Sequence, residues 1–212
     1  MQNWVAMGCR WLAITALLVG VTACQPTTPA LNLKGTDVSN AKIGADFTLI
    51  DHNGNSKRLS DFYGQAIVLF FGYIHCPDVC PTTLAEMAEA MNRLGNDAEK
   101  VTVLFVSVDP KRDTPDIMKA YVTSFHPRFI GLTGSATAIA EVSRAFKVVA
   151  EKRGDVAGGN YTIDHSAGAY LYDPAGSLRV YVPYGSGAAV FRHDLTVLLG
   201  QTPPPLTATK AQ

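Results

Sequence analysis

The sequence predicts one α/β domain with a mixed central sheet and helices on both of its faces. Apolar, strand-like runs alternate with amphipathic helical segments through the middle of the chain, a pattern typical of parallel strands joined by helices. Nearer the C-terminus, two strand-like segments flank Asp173-Pro174-Ala175-Gly176, a turn sequence that predicts an antiparallel hairpin in the same sheet. With 212 residues, of which 47% are apolar and 17% charged, the chain can form one such domain and its appendages.

The individual elements follow from periodicity and turn residues. Strands are predicted at apolar runs bounded by turn residues, and the first two form a hairpin across Asn53-Gly54. These strands span Ala45–Ile50, Lys57–Leu59, Ala66–Tyr73, Val101–Val108, Phe129–Leu132, Ala167–Tyr172 and Leu178–Val182. Helices are predicted where apolar residues recur every three or four positions, with Ser135 as an N-cap and Gly95 as a stop signal. They span Pro81–Leu94, Pro115–Phe125, 136–146 and Gly187–Leu199.

The order of these elements is a hairpin, a βαβα unit, a further strand and helix, a second hairpin and a last helix. A thioredoxin-like fold is the natural candidate for this order. The pattern alone is also compatible with another mixed α/β layer fold.

The two ends of the chain are predicted to lie outside the domain. Residues 1–23 have the short apolar core of a secretory signal peptide, about eleven residues, which is too short to span a bilayer as a helix. Val21-Thr22-Ala23-Cys24 resembles a bacterial lipobox, which implies lipidation of Cys24; the alternative is an ordinary signal peptide with an incidental cysteine. We therefore expect an exported protein, lipid-anchored to a bacterial membrane and facing the periplasm or the cell exterior. Residues 24–42 are predicted to be a flexible tether, 43–200 the domain, and 201–212 a disordered tail.

The charge balance argues against nucleic acid as a partner. Lys and Arg number 18, as do Asp and Glu, whereas nucleic-acid-binding proteins usually carry a basic surplus.

The cysteines indicate chemistry. Cys9 would leave with the signal peptide and Cys24 would carry the lipid, so Cys76 and Cys80 remain. A disulfide that closes so short a loop adds little stability to a large domain. The pair is therefore predicted to have a chemical role and not to stabilise the fold.

Cys76 and Cys80 lie between a buried strand and the start of a helix. Ligands bind at this edge of open α/β sheets, and helix N-terminal amides lower the pKa of a thiol. In a helix, the Cβ atoms of residues i and i+4 lie ~5–6 Å apart, which is wider than the ~3.5–4.5 Å between the Cβ atoms of a disulfide. Two thiolates bound to one metal have their sulfur atoms about 3.8 Å apart, which side chains converging from i and i+4 can reach. The spacing therefore permits both redox and metal chemistry, favours a metal for the relaxed helix, and does not select which metal.

A metal would require at least one more ligand, and five histidines are available. His52 is predicted to be a turn residue, His193 a solvated helix residue and His126 a helix-end residue. His75 adjoins Cys76, but neighbouring side chains diverge, which favours a role in tuning the thiols. His165 follows residues 158–164, which are polar and glycine-rich and are predicted to form a loop. By sequence alone, a histidine in this position is more often an ordinary surface residue.

Three segments in order resemble the SCO/SenC family of copper-binding cytochrome oxidase assembly proteins. They are Phe71-Gly72-Tyr73-Ile74-His75-Cys76-Pro77-Asp78-Val79-Cys80-Pro81, Val106-Ser107-Val108-Asp109-Pro110-Lys111-Arg112-Asp113-Thr114-Pro115, and Asp164-His165-Ser166 followed by Tyr170-Leu171-Tyr172-Asp173-Pro174-Ala175-Gly176. The resemblance implies a thioredoxin fold that binds one copper ion through Cys76, Cys80 and His165. Asp78, Asp109 and His75 are candidate neighbours of that site.

The resemblance also implies a function and its alternatives. The chain would be a copper metallochaperone for the binuclear copper centre in cytochrome c oxidase subunit II, or for another copper acceptor, and would exchange copper or electrons with other copper carriers or thiol reductants. The alternative is a thiol–disulfide oxidoreductase that uses Cys76 and Cys80 as its redox pair. A peroxidase is a weaker third possibility, because the three-residue spacing of the cysteines gives it little support.

Overall fold

The computed structural model describes residues 31–200, so the predicted signal peptide, the lipidation site Cys24 and the predicted tail lie outside the described residues. Ten strands are present in this range: β1 (Thr36–Asp37), β2 (Thr48–Asp51), β3 (Ser56–Arg58), β4 (Ala66–Gly72), β5 (Val101–Ser107), β6 (Phe129–Thr133), β7 (Ala150–Asp155), β8 (Asn160–His165), β9 (Ala169–Tyr172) and β10 (Leu178–Val182). The α-helices of the same range are α1 (Val79–Leu94), α2 (Pro115–Phe125), α3 (Ala136–Ala145) and α4 (Ala188–Leu198).

Eight strands form one mixed sheet in the order β1-β10-β9-β4-β5-β6-β2-β3. Strands β4, β5 and β6 are parallel, and the flanking pairs are antiparallel. Every residue of β4 and β5 is buried, as expected for central parallel strands covered on both faces. The predicted mixed α/β architecture is confirmed.

Helices cover both faces of the sheet. Phe70 lies opposite Phe105 in the β4–β5 ladder, and the Phe105 ring packs against Tyr121 of α2. Phe71 follows Phe70 and therefore points to the other face, where its ring packs against Phe146 directly after α3. Helices α2 and α3 thus lie on opposite faces.

The helix ends follow local chemistry. Helix α1 begins at Val79, two residues before the predicted start, because Pro81 is tolerated in a first turn where its missing N–H has no intrahelical partner. The helix ends at Leu94, and the residue that caps it, Gly95, has a φ of 59°, which suits glycine. Ser135 caps α3 as predicted, since its Oγ accepts the N–H of Ala138 at 3.1 Å.

Strands β7 and β8 form a separate two-stranded sheet that was not predicted from the sequence. Residues 158–164 were expected to be a polar loop. In β8, Tyr161 and Ile163 are buried while Asn160, Thr162 and Asp164 are exposed, which is the alternation of a half-buried strand. The fully exposed β7 and the glycine-rich turn conceal this pattern in the sequence.

The folded part begins before residue 43, the boundary predicted from sequence. Strand β1 pairs with β10, and the buried carboxylate of Asp194 accepts the N–H groups of Lys34 and Gly35 at 2.7 and 2.8 Å. These backbone partners lie about 160 positions away in sequence, so the composition of residues 34–42 does not reveal them. Within residues 31–200, no helix is both long enough and apolar enough to cross a membrane.

Candidate metal site

Cys76 and Cys80 meet at the carboxyl end of β4. Cys76 lies in the loop before α1 and is half-buried, whereas Cys80 is the second residue of α1 and is buried. The N–H of Cys80 donates to Cys76 Sγ at 3.4 Å, so the helix N-terminus is directed at the first thiol. A Cβ on Gly72 would come within 2.7 Å of Cys80 Sγ, and glycine at the end of β4 therefore leaves room for the second thiol.

His165 completes the cluster from the end of β8. Its Nδ1 lies 2.9 Å from the carbonyl oxygen of Ser166, and because a carbonyl can only accept, Nδ1 carries the proton. The lone pair of Nε2 is thereby left for the cysteines, and Nε2 lies 3.3 Å from Cys80 Sγ. The ligand atoms of Cys76, Cys80 and His165 all lie within 4.8 Å of one another, close enough to hold one metal ion.

The two thiols differ in acidity. The hydrogen bond from the Cys80 thiol, together with the backbone N–H groups of Cys80 and Asp78, holds the pKa of Cys76 at about 4. The pKa of Cys80 is raised by its hydrogen bond to Cys76 and by burial. Without metal, Cys76 is therefore the thiolate and Cys80 the neutral thiol.

This difference predicts selective alkylation of the reduced, metal-free protein. Iodoacetamide should modify Cys76 and spare the buried Cys80, because the thiolate is the nucleophile. The rate at Cys76 should be flat from about pH 6 to 8 and should fall only as the pH approaches the pKa of about 4. Peptide mass spectrometry measures both sites. A rate that climbs steadily up to pH 9, as for an ordinary thiol, would contradict the prediction.

Tyr73 fixes the hairpin of β7 and β8 above the thiols. Its hydroxyl accepts the N–H of Ile163 at 3.1 Å, and its ring meets the His165 ring edge-on, with centroids 5.8 Å apart. Tyr73 lies within the motif that suggested the site, yet the apolar pattern of residues 66–73 predicted only that it ends a buried strand.

A buried polar cluster fixes the same hairpin from the loop after β5. The hydroxyl of Tyr161 donates to Asp109 at 2.8 Å, and the Arg112 guanidinium lies 3.6 Å from the centre of the Tyr161 ring. Arg112 also donates to the Tyr161 carbonyl oxygen and pairs with Asp109, while Lys152 of β7 lies 3.5 Å from Asp109. Asp109, a predicted neighbour of the site, thus acts by holding the strand that carries His165.

The other two predicted neighbours lie beside the thiols. His75 is exposed, with Nδ1 4.0 Å from Asp113 Oδ1. Asp78 is at the exposed N-cap position of α1, and its Oδ1 accepts the Thr82 hydroxyl at 3.3 Å. Asp113 was not singled out from sequence. It is fully buried, accepts the Ser107 hydroxyl and the N–H of Ile74, and so holds the loop that leads to Cys76.

Of the other histidines, one differs from its predicted role. His52 lies in the turn after β2, as predicted, and is buried there, where its Nδ1 accepts the N–H of Gly131 at 3.1 Å. His193, expected to be solvated, is buried with Nδ1 2.9 Å from Asp194, because α4 turns this part of its surface towards the core. His126 is at the C-cap of α2, as predicted.

The fold and the site together define a class: α/β domains in which two cysteines at the start of a helix and a histidine on a hairpin could hold one metal ion. The sequence matches the SCO1/SenC family over residues 35–200, and the chain belongs to that family. It is 39% identical to the SCO2-like protein of Rickettsia felis over 173 residues, which cover 78% of this chain and 84% of the relative.

Solved structures of this family share the fold. Copper-bound ScoI of Bradyrhizobium japonicum superposes with a TM-score of 0.69 at 41% identity, over 74% of this chain and 99% of ScoI. Apo Sco1 of Thermus thermophilus gives a TM-score of 0.70 at 37% identity, over 81% of this chain and 99% of that protein. The thioredoxin-like fold predicted from sequence is confirmed.

Proposed function

We propose that this protein is a copper metallochaperone whose cargo is one copper ion held by Cys76, Cys80 and His165. The observation that carries the proposal is the convergence of two sulfurs and one imidazole nitrogen from separate elements within 4.8 Å. Support comes from ScoI, a 41% identical family member whose structure has copper bound.

The donor set suits copper cargo. Thiolates are soft ligands that favour Cu(I), and imidazole serves both oxidation states. A structural zinc site is usually closed by four protein ligands, whereas three ligands beside an open cleft of about 380 Å³ leave a path for transfer. The acceptor we propose is the binuclear copper centre of cytochrome c oxidase subunit II or a comparable copper site, and the donors are other copper carriers.

Copper binding gives the direct test. Added Cu(II) should produce a strong thiolate-to-copper charge-transfer band in the visible spectrum, because both sulfurs lie beside one position that copper can occupy. Cys76→Ser and Cys80→Ser should each abolish the band, and His165→Ala should shift and weaken it. His126→Ala, at the end of α2, is the matched control and should leave the band intact. An unchanged band in His165→Ala would mean that the third ligand is misassigned, with His75 the next candidate.

A second candidate function is thiol–disulfide exchange. The observation that favours it is the low pKa of the half-buried Cys76 thiol, which primes it as a nucleophile towards a disulfide. The substrate would be the cysteines of the same copper centre or of other exported proteins.

We also propose that the protein acts at a membrane surface, anchored through a lipid on Cys24. Cys24→Ala should leave the chain unprocessed or release it from the membrane fraction, because the lipobox cysteine is the residue that would be acylated. Intact mass of membrane-extracted protein measures the modification, with Cys9→Ala as the matched control. An unmodified N-terminus at another residue would refute lipidation.

A further inference from the structure

A cleft of about 730 Å³ lies beside the metal site and takes no part in metal binding. Its walls are the loop after β5, one side of α3 and the start of β7. The volume falls in the range of ligand sites in proteins, roughly 300–1,000 Å³. Two of the proposed metal ligands, Cys76 and His165, line a different cleft.

The cleft combines an apolar floor with a basic rim. Val108, Ile139 and Val148 supply the floor, and the charged side chains that line it are Lys111, Arg144 and Lys152. No carboxylate lines the cleft. Lys152 already lies near Asp109, but within residues 31–200 neither Lys111 nor Arg144 has a carboxylate partner, and both are exposed.

The edge of the cleft is linked to His165 through backbone contacts. Ala150, which lines the cleft, lies opposite His165 in the β7–β8 ladder. Val149 exchanges hydrogen bonds with Ser166, whose carbonyl oxygen accepts from His165 Nδ1. Val149 is 58% exposed, which leaves an apolar residue facing solvent at this edge. A molecule seated in the cleft would therefore lie one strand away from His165.

We infer that this cleft docks an acidic segment of the protein that gives copper to, or takes copper from, this chain. One large apolar side chain of the segment fills the space above Val108, Ile139 and Val148, and flanking carboxylates pair with Lys111 and Arg144. A buried apolar anchor inside a polar rim is the usual arrangement of a protein interface hot spot. The partner's role in copper transfer rests on the proposed function. The acidic and apolar character of the docked segment rests only on the residues that line the cleft.

The occupant comes from another molecule. Residues 1–30 and 201–212, the parts of the chain outside the described range, contain no Asp or Glu, so neither supplies flanking carboxylate side chains. The charge of the cleft therefore favours an acidic partner over either end of this chain.

The test uses a fluorescein-labelled peptide, Glu-Glu-Trp-Leu-Glu-Glu, titrated by anisotropy against the metal-free protein. Lys111→Glu combined with Arg144→Glu should weaken binding at least about tenfold, because two attractions become repulsions. Ala140→Trp, at an exposed position of α3 that lines the cleft, should block binding by filling the space. The copper charge-transfer band should be unchanged in both variants, so docking and copper binding are measured separately.

Two controls test whether the change in peptide binding depends on the charges at this cleft. Lys119→Glu combined with Arg128→Glu makes the same charge change at and beyond α2, on the opposite face from α3, and should leave peptide binding unchanged. The same peptide with Gln in place of Glu should bind more weakly than the acidic one.

Three outcomes would overturn the proposal. One is equal loss of binding in the Lys119/Arg128 control. Another is decanoate binding that displaces the peptide while the Gln peptide binds as well as the acidic one, which would assign the cleft to a small amphipathic anion. The third is a dimer of the full chain that Lys111→Glu with Arg144→Glu dissociates, which would assign the cleft to a second copy.

Discussion

His165→Ala should lower copper affinity by at least about a hundredfold while leaving the Cys76–Cys80 pair able to cycle between dithiol and disulfide. Loss of a residue that only supports a metal ligand costs about 10–100-fold in affinity, so loss of the imidazole itself should cost no less. Thiol–disulfide exchange requires a thiolate and an accessible partner, and it has no requirement for a third ligand. Copper competition titrations and a dithiol redox titration measure the two properties on the same preparation.

The cellular form of this experiment separates the two candidate functions. In cells limited for copper, His165→Ala should fail to support oxidase assembly, as should Cys76→Ser. The matched control is His193→Gln, since that histidine is buried against Asp194 in α4 and does not belong to the ligand cluster. Full oxidase assembly with His165→Ala, alongside failure with Cys76→Ser, would favour thiol exchange over copper delivery.

Asp109→Ala should destabilise the protein by about 3 kcal/mol and should also weaken copper binding. Asp109 is fully buried, and its removal leaves the largely buried Arg112 without its charge partner, a change that typically costs about 3–5 kcal/mol. The Tyr161 hydroxyl loses its acceptor at the same time, so the hairpin of β7 and β8 loses a main attachment. For a domain of this size the unfolding midpoint should fall by roughly 10 °C in a thermal melt.

Asp164→Ala is the control for Asp109→Ala. Asp164 adjoins His165 and pairs with Arg153, but both side chains are more than half exposed, so the pair contributes little to stability. Its removal makes the same charge change on the hairpin that Asp109 contacts, and should leave both the melt and the copper titration unchanged. Equal losses in the two variants would mean that charge near His165 matters, and that the buried attachment through Asp109 does not.

The sequence predicted the central sheet and the helices well because their signals are local. The run that became β4 is apolar throughout, and the run that became β5 is apolar except for Thr102 and Ser107. Helix α2 begins at Pro115 and ends at Phe125 as its pattern predicts. The hairpin of β7 and β8 was missed because one strand is exposed along its whole length.

The site was predicted unevenly for a related reason. The spacing of Cys76 and Cys80 identifies them as a candidate ligand pair. His165 was identified as a ligand only through the family resemblance, because the fold, and not the sequence, brings it close to Cys80. Asp113 and Tyr161 were missed because their partners, Ile74 and Asp109, lie 39 and 52 positions away. A hydrogen bond between residues so far apart in the chain leaves no recognisable pattern in a single sequence.

Because β7 and β8 form a separate sheet, the three proposed metal ligands lie on two different parts of the domain. Both sulfurs belong to the main domain at the β4–α1 junction, whereas the nitrogen belongs to a hairpin attached through Tyr73, Asp109 and Arg112. Any opening of this hairpin would withdraw the imidazole from the sulfurs, and the apparent affinity for the metal would scale with the closed fraction. Evolution can thus adjust how tightly the cargo is held through residues that never touch it, with all three ligands unchanged.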